Sequence, residues 1–339
     1  MVVEEIIEKA MQGNGLERDE IEFLYGVNPH SGDATLIIDA SYELSQRASY
    51  GKAQIHAQIG LDASPCERDC LFCSFASRRG LRIGMRELGV DEAVKSSLDA
   101  IERGANLILM LTTAAYDFEK LLDVVGRTRR EIGRDYPLLV GTGDFTYDQA
   151  VMLKQAGCNG AYHALRVGEG DYTSIAVEAR KSTIENTHEA GLKHCTCIEP
   201  IGPEHNPYEL AERTMCALES NPVFGGVWRR EPAAESKHRL TTIDDERWAL
   251  YVAVFRLAAG CKYPLTTSMA SERLALTGAN LAWAEIGPNP PEAEVDFENS
   301  TGMTINRAKR IFAKTGWEVL EGPATEWMSD YEGLLTNLS

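Results

Sequence analysis

The chain has little of what marks secreted, fibrous or membrane proteins. Its 339 residues contain only eight cysteines and 8% aromatics, and no internal repeat or low-complexity tract stands out. Eight cysteines are too few for a disulfide scaffold, while 44% hydrophobic and 25% charged residues exclude a disordered or collagen-like chain. The longest apolar stretches, such as residues 107–112, fall far short of the ~20 residues a spanning helix needs. Met1 to Met11 bears Glu and Lys and lacks the basic and apolar regions of a secretory signal. Positive charge is scarce as well: 34 Lys plus Arg against 51 Asp plus Glu gives a net charge of −17. Such a chain repels phosphate backbones. The expectation is a cytoplasmic protein with no nucleic-acid or membrane partner. In that compartment clustered thiols signal metal binding or catalysis more often than disulfides.

What is present is alternation. Residues 1–50 read as a helical extension, with Ile6, Ile7, Ala10 and Met11 on one stripe. Strand-like runs follow at 53–61, 106–111, 138–141, 160–165, 193–199, 223–228, 263–267 and 280–284. Helical patterns separate them at 91–103, 118–132, 147–156, 177–190, 207–220, 244–258 and 269–276. Every link is long enough for a right-handed crossover, so the strands are expected to run parallel. The pattern predicts an α/β fold, a (β/α)8 TIM barrel over residues 51–298, with an open doubly wound sheet as the alternative. Residues 299–339 form a C-terminal helix and tail after an acidic, proline-bearing loop at 286–298. In such a barrel, chemistry sits in the loops after the strands.

The loop leaving the first strand reads Ser64-Pro65-Cys66-Glu67-Arg68-Asp69-Cys70-Leu71-Phe72-Cys73. Thiolates are soft ligands suited to zinc or iron–sulfur. Structural zinc normally takes four ligands, and no fourth cysteine is near. Three clustered thiolates suit a cubane cluster with one open iron, and an open position marks a catalytic site. Zinc completed by a remote residue, or three unrelated buried thiols, are the plain alternatives.

This motif, with aromatic Phe72 before its last cysteine, resembles the radical S-adenosylmethionine (SAM) superfamily. The resemblance spans about residues 21–317 and is nearest to the full-barrel subgroup containing biotin synthase, the SAM-cleaving FeFe-hydrogenase maturase and methylornithine synthase. Residues 178–184 with 190–193, the Gly278-Ala279-Asn280 opening of the last strand, and Pro264 to Ser268 carry that likeness. It implies that Cys66, Cys70 and Cys73 hold a 4Fe–4S cluster whose fourth iron chelates SAM. Reduction would then yield a 5′-deoxyadenosyl radical that abstracts a substrate hydrogen, with no catalytic side chain assigned beyond the cluster. The expected role is a maturase-like step in cofactor or metallocofactor biosynthesis, with a flavodoxin- or ferredoxin-type electron donor.

The resemblance extends to further residues. Arg180 matches the arginine that pairs with the SAM carboxylate, a task its planar fork suits. Glu169 is the candidate for the SAM ammonium, with Arg166 in one plausible alignment, and His163 reads as structural. Thr112 and Thr113 end strand two where backbone carbonyls face the SAM amino group, although the usual Gly-Gly-Glu is missing. Ile198 and Gly202 fall near the adenine-contacting stretch, and Phe72 joins the cofactor-contacting set. Cys195 and Cys197 share one strand face. They are either small barrel residues or ligands of an auxiliary cluster for lipoyl-type sulfur insertion. Strands two and three carry no cysteine, which argues against the biotin synthase auxiliary cluster. For a small anionic substrate the candidates are Arg229, Arg230, Thr266, Thr267 and Ser268, the arginines alternatively pairing with Glu231 or Glu235. Arg78, Arg79, Arg82 and Arg86 form a basic patch able to dock an acidic electron donor. A non-catalytic iron–sulfur or zinc protein is the reading from another class.

Overall fold

The computed structural model describes residues 1–77, 86–231, 241–288 and 302–328. Arg78, Arg79 and Arg82 of the basic patch, Glu235 and most of the acidic loop lie outside the described residues. The N-terminal extension is three helices: α1 (Val3–Met11), α2 (Arg18–Tyr25) and α3 (Gly32–Ala48). Ser31 caps α3 by accepting from the Ala34 amide, and α1 buries Val3, Ile6 and Ala10 on one stripe.

Parallel strands then alternate with helices. The strands are β1 (Lys52–Gly60), β4 (Leu107–Leu111), β5 (Leu138–Gly141), β6 (Gly160–Tyr162), β7 (Lys193–Cys195), β8 (Ile198–Ile201), β9 (Gly225–Arg229), β10 (Thr266–Thr267) and β11 (Leu281–Ile286). The helices are α4 (Val90–Glu102), α5 (Phe118–Ile132), α6 (Tyr147–Ala156), α7 (Val177–Glu189), α8 (Pro207–Glu219), α9 (Asp245–Ala259), α10 (Glu272–Ala275) and α11 (Ile305–Lys314). The sheet order is β7-β6-β5-β4-β1-β11-β10-β9-β8. Its two ends, β7 and β8, are consecutive in the chain and separated only by Thr196 and Cys197. One interrupted strand thus pairs with β6 on one side and β9 on the other, and the sheet curls round in the manner of a TIM barrel.

Burial follows the pleat. On β1, Ala53, Ile55, Ala57 and Ile59 enter the layer between strands and helices with Ile108, Met110 and Val140. Gln54 and His56 point the other way, and the His56 ring meets Phe224 and Trp283 edge-on inside the barrel. Leu107, Leu109, Leu139, Cys195 and Leu281 complete this inner cluster. Trp327, on a short C-terminal turn, fills the end where the strands begin. With that mouth plugged, only the end carrying the βα loops is left for chemistry.

Three asparagines just before strands stitch the plugged end. Asn106 accepts from the Ile55 amide at 2.8 Å and donates to the carbonyls of Leu320 and Gly322 at 2.8 and 2.7 Å. Asn280 accepts from Thr266 and donates to Lys52 and Pro264. Asn159 accepts from the Leu138 amide and the Arg129 guanidinium. These amides occupy backbone groups at the strand starts that no ladder partner reaches.

Several elements differ from the sequence expectation. β6 stops at Tyr162 rather than 165, and β10 keeps only two residues because Pro264 has no N–H to give the ladder. Two additions are two-residue pairings too short to show a period: β2 (Asp62–Ala63) with β3 (Arg86–Glu87), and β12 (Glu318–Val319) beside the start of β1. Among the described residues no helix is long and apolar enough to cross a membrane. Replacing Asn106 by Ala orphans buried backbone groups, so the chain should lose about 2–4 kcal/mol of unfolding free energy. Urea titration at fixed pH measures this, and an unchanged midpoint would refute the stitching role.

Candidate active site

The cysteine loop begins where β1 ends and folds back on itself. The Cys66 amide donates to Phe75 O at 2.7 Å and the Ser77 amide to Cys66 O at 3.0 Å, closing the loop's base. Asp69 takes a left-handed conformation at φ 50°, which an Asp tolerates, and the Cys73 amide returns to Cys70 O at 3.0 Å. The segment after β6 clamps the loop from outside. The Leu71 amide donates to Tyr172 O at 2.9 Å and the Ser174 hydroxyl to Arg68 O at 2.9 Å.

That clamp puts the residues expected around a cofactor beside Cys70. Burial pushes the Cys70 thiol up to about 11 against the pull of nearby Arg166; Cys73 and Glu169 push the same way and Arg180 opposes them. The Arg166 guanidinium lies 5.8 Å from the centre of the Phe72 ring. None of the three thiols is in a disulfide. As a donor set, three thiolates without carboxylate or imidazole suit an iron–sulfur cluster by chemistry. Among the described residues, however, no three His, Cys, Asp or Glu side chains are gathered on a point that holds a metal. Binding would have to draw the thiols together, as metal sites commonly form with their metal.

Arg180 is the hub of a buried network. Its Nε donates to Glu169 at 3.2 Å and its Nη1 to Asp144 at 3.2 Å, while His163 Nε2 lies 3.1 Å from the same Asp144 oxygen. Thr173 donates to the other Glu169 oxygen at 2.5 Å, and the Arg166 amide bonds Glu169 at 3.2 Å. Burial alone would raise the Asp144 carboxyl. The hydrogen bond from His163 and the Arg180 charge outweigh it and hold the carboxyl at about 2. Asp144 was not singled out from sequence, because its role depends on the approach of β6 and α7.

Deeper in the chamber, Arg166 sits 3.6 Å from Glu199, and the Tyr162 hydroxyl bonds the Glu199 carboxylate. Cys197 shares hydrogen bonds with Tyr162 and Trp228, and burial drives its thiol well up. Cys195 packs in the inner cluster with its sulfur 3.8 Å from Ala161 O. Both stay protonated thiols in this setting.

Other expected residues lie elsewhere. Thr113 gives its amide and hydroxyl to Asp62, both at 2.7 Å, and the Thr112 hydroxyl goes to Thr142 at 2.8 Å. The Ile198 side chain packs with Val167, Ile201 and Val227 in a layer facing the helices, which leaves only its backbone for a cofactor. Arg229 turns out to α9, bonding Asp245 and stacking 4.3 Å from Trp248. Arg230 is gripped by Glu204 at 2.6 and 2.7 Å. Thr266 receives Arg256, while the Thr267 and Ser268 hydroxyls donate to Leu281 O and Val227 O. The structure therefore groups Phe72, Glu169 and Arg180 at the cysteine loop. It leaves the five residues expected around an anionic substrate engaged with protein groups.

Asp144 gives a pH test with a definite sign. Its carboxyl is held below the ordinary 3.8, so its stabilisation is full above about pH 4 and fades as pH falls toward 2. The gap between wild type and Asp144→Asn in urea unfolding of the full chain should be about 2 kcal/mol at neutral pH and close between pH 4 and 2. A gap independent of pH would rule out the charge as its source.

No protein-family model matches the chain. Curated relatives do: biotin synthase from Carboxydothermus hydrogenoformans is 22% identical over 314 residues, covering 86% of this chain and 95% of its own. The mitochondrial biotin synthase of Saccharomyces cerevisiae is 24% identical over 237 residues, 62% of each chain. In fold, the chain is similar to the FeFe-hydrogenase maturase HydG from Carboxydothermus hydrogenoformans, with TM-score 0.78 at 16% identity over 98% of this chain and 83% of that one. It is also similar to methylornithine synthase, with TM-score 0.74 at 15% identity over 97% and 99%. With the cysteine loop at the open end of a curled parallel sheet, these likenesses support a radical SAM enzyme of the biotin synthase-like kind.

Proposed function

We propose that Cys66, Cys70 and Cys73 hold a 4Fe–4S cluster and that the enzyme cleaves SAM reductively to act on a small anionic substrate. The observation that carries this is the clamped loop, which brings Cys70 beside Arg166, Glu169 and Arg180. When bound, the cluster and SAM would supply a 5′-deoxyadenosyl radical able to abstract hydrogen. The protein's part is binding and orientation. Arg180 and Glu169 present opposite charges side by side, and a zwitterionic amino acid end can exchange their mutual bond for one to each. Asp144 and His163 hold Arg180 in place through that exchange. Arg166 is the chamber cation available to a substrate anion. The packed floor beneath, closed by Trp283, Phe224 and Trp327, excludes water from the reacting end. The electron would come from a flavodoxin- or ferredoxin-type donor, and the product would serve cofactor or metallocofactor biosynthesis. The maturase-like assignment rests on the Pro264 to Ser268 segment.

Sulfur insertion through Cys195 and Cys197 is less well supported, since both thiols are buried and Cys195 is part of the apolar cluster. Anaerobic reconstitution should give about four irons per chain, the content of one cubane cluster. Reduction with SAM should then release 5′-deoxyadenosine, and Cys70→Ala should abolish it. One zinc per chain with no SAM cleavage would sink the proposal in favour of a non-catalytic protein. An iron content clearly higher, falling when Cys195 and Cys197 are both replaced by Ala, would replace it with the sulfur-insertion reading.

A further inference from the structure

A cavity of about 490 Å3 lies on the outside of the barrel, between α7 and α8, away from the cysteine loop. Its walls are two helix faces: Lys181, Ile184 and His188 from α7, Arg213, Cys216 and Ala217 from α8. The spacings i, i+3, i+7 and i, i+3, i+4 show that each helix turns one continuous face to the gap. Elsewhere neighbouring helices pack directly, as α4 does on α5 and α5 on α6, but α7 and α8 stand apart. The cause is visible in the residues. Lysine, histidine and arginine offer no apolar ridge to interlock, and the strand beneath is interrupted at Thr196 and Cys197, which form the floor with Leu165.

Arg213 is half-buried and Lys181 exposed, and among the described residues neither has an ion-pair or hydrogen-bond partner for its side chain. That contrasts with Arg180, Arg229 and Arg230, whose guanidinium groups are all engaged by carboxylates. Two unpaired cations face one cavity in a chain of net charge −17. Glu185 and Glu219 also line it and disfavour a large polyanion, and the volume falls in the range of about 300–1,000 Å3 typical of small-molecule sites.

We propose that this cavity, which shares Cys197 with the barrel chamber, is a second binding site on the helix side of the sheet for a small organic anion with an apolar body. The acid group would be held by Arg213 and Lys181 and the body by Leu165, Ile184 and Ala217. The site stands independently of the radical SAM reaction, so it is tested by binding alone.

1-Naphthoate is a suitable probe, titrated calorimetrically into the full chain as isolated. One saturable site per chain is expected, with affinity at least about tenfold weaker in the Arg213→Gln, Lys181→Gln double variant. The neutral isostere 1-naphthalenemethanol should bind wild type correspondingly weakly. Cys216 is exposed and lines the cavity, which gives a positional readout. 1-Naphthoate should slow its alkylation by N-ethylmaleimide, followed by peptide mass spectrometry, in wild type but not in the double variant. Ala217→Trp should block binding by filling the cavity while keeping both charges, with thermal melting confirming that the variant is folded. Absence of saturable binding, equal affinity in the double variant, or unprotected Cys216 would each overturn the proposal.

Discussion

Two backbone-directed hydrogen bonds organise the candidate site: Leu71 N to Tyr172 O, and the Ser174 hydroxyl to Arg68 O. They join loops more than 90 residues apart in sequence, one leaving β1 and the other leaving β6. A loop of this length has no regular ladder to hold it, so its shape depends on such external partners. Without the clamp, Cys70 would have no fixed relation to Glu169 and Arg180, which belong to the second loop and the helix after it. With it, Cys70 and the charges expected to contact SAM occupy one corner of the barrel mouth. The tight approach of Gly168 to the Tyr172 ring serves the same end, because a Cβ there would fall 2.1 Å from a ring carbon. That glycine also has φ +72°, a backbone conformation side-chain-bearing residues avoid.

The charges behind the clamp are poorly explained by stability alone. Burying a guanidinium with two carboxylates costs desolvation that the mutual attraction often fails to recover. A packed apolar side chain in the place of Arg180 would serve a purely structural role as well. The arrangement makes sense as preorganisation. Asp144 is kept ionised, His163 neutral, and Arg180 fixed by acceptors on two sides, so a ligand meets charges that are already oriented. The plugged floor complements this: a dry lower barrel and stitched strand starts give the mouth a rigid base.

Legibility from sequence tracked the range of each interaction. The cysteine spacing and the strand–helix alternation were readable because each is written in a few adjacent residues, and helices α5 and α6 begin and end where their periodicity says. Arg180 and Glu169 were reached through resemblance, and the fold brings them together. The strand break at Thr196 and Cys197 was invisible, since an apolar run does not announce where its hydrogen bonds lapse. The asparagine stitches were equally hidden: a lone Asn before a strand looks like any turn residue until its amide is seen reaching three backbone groups. The same limit applied to Arg229 and Arg230. Their partners Asp245 and Glu204 are 16 and 26 residues distant, and only the packed structure decides between partner and substrate.

An acidic protein receives an anion only where a cation is free to meet it. With Arg229 turned outward to α9 and Arg230 held bidentately by Glu204, neither offers a free fork to the chamber. Arg166 differs in kind. Its pairing with Glu199 is long at 3.6 Å, and its other neighbours are the Phe72 face, Glu169 and Cys70. A long, single-contact ion pair is easier to exchange than a short bidentate one. Arg166 is therefore, besides Arg180, a chamber cation whose partner can be displaced. Its place between the cysteine loop and Glu199 puts a bound anion within the same corner as the expected radical chemistry.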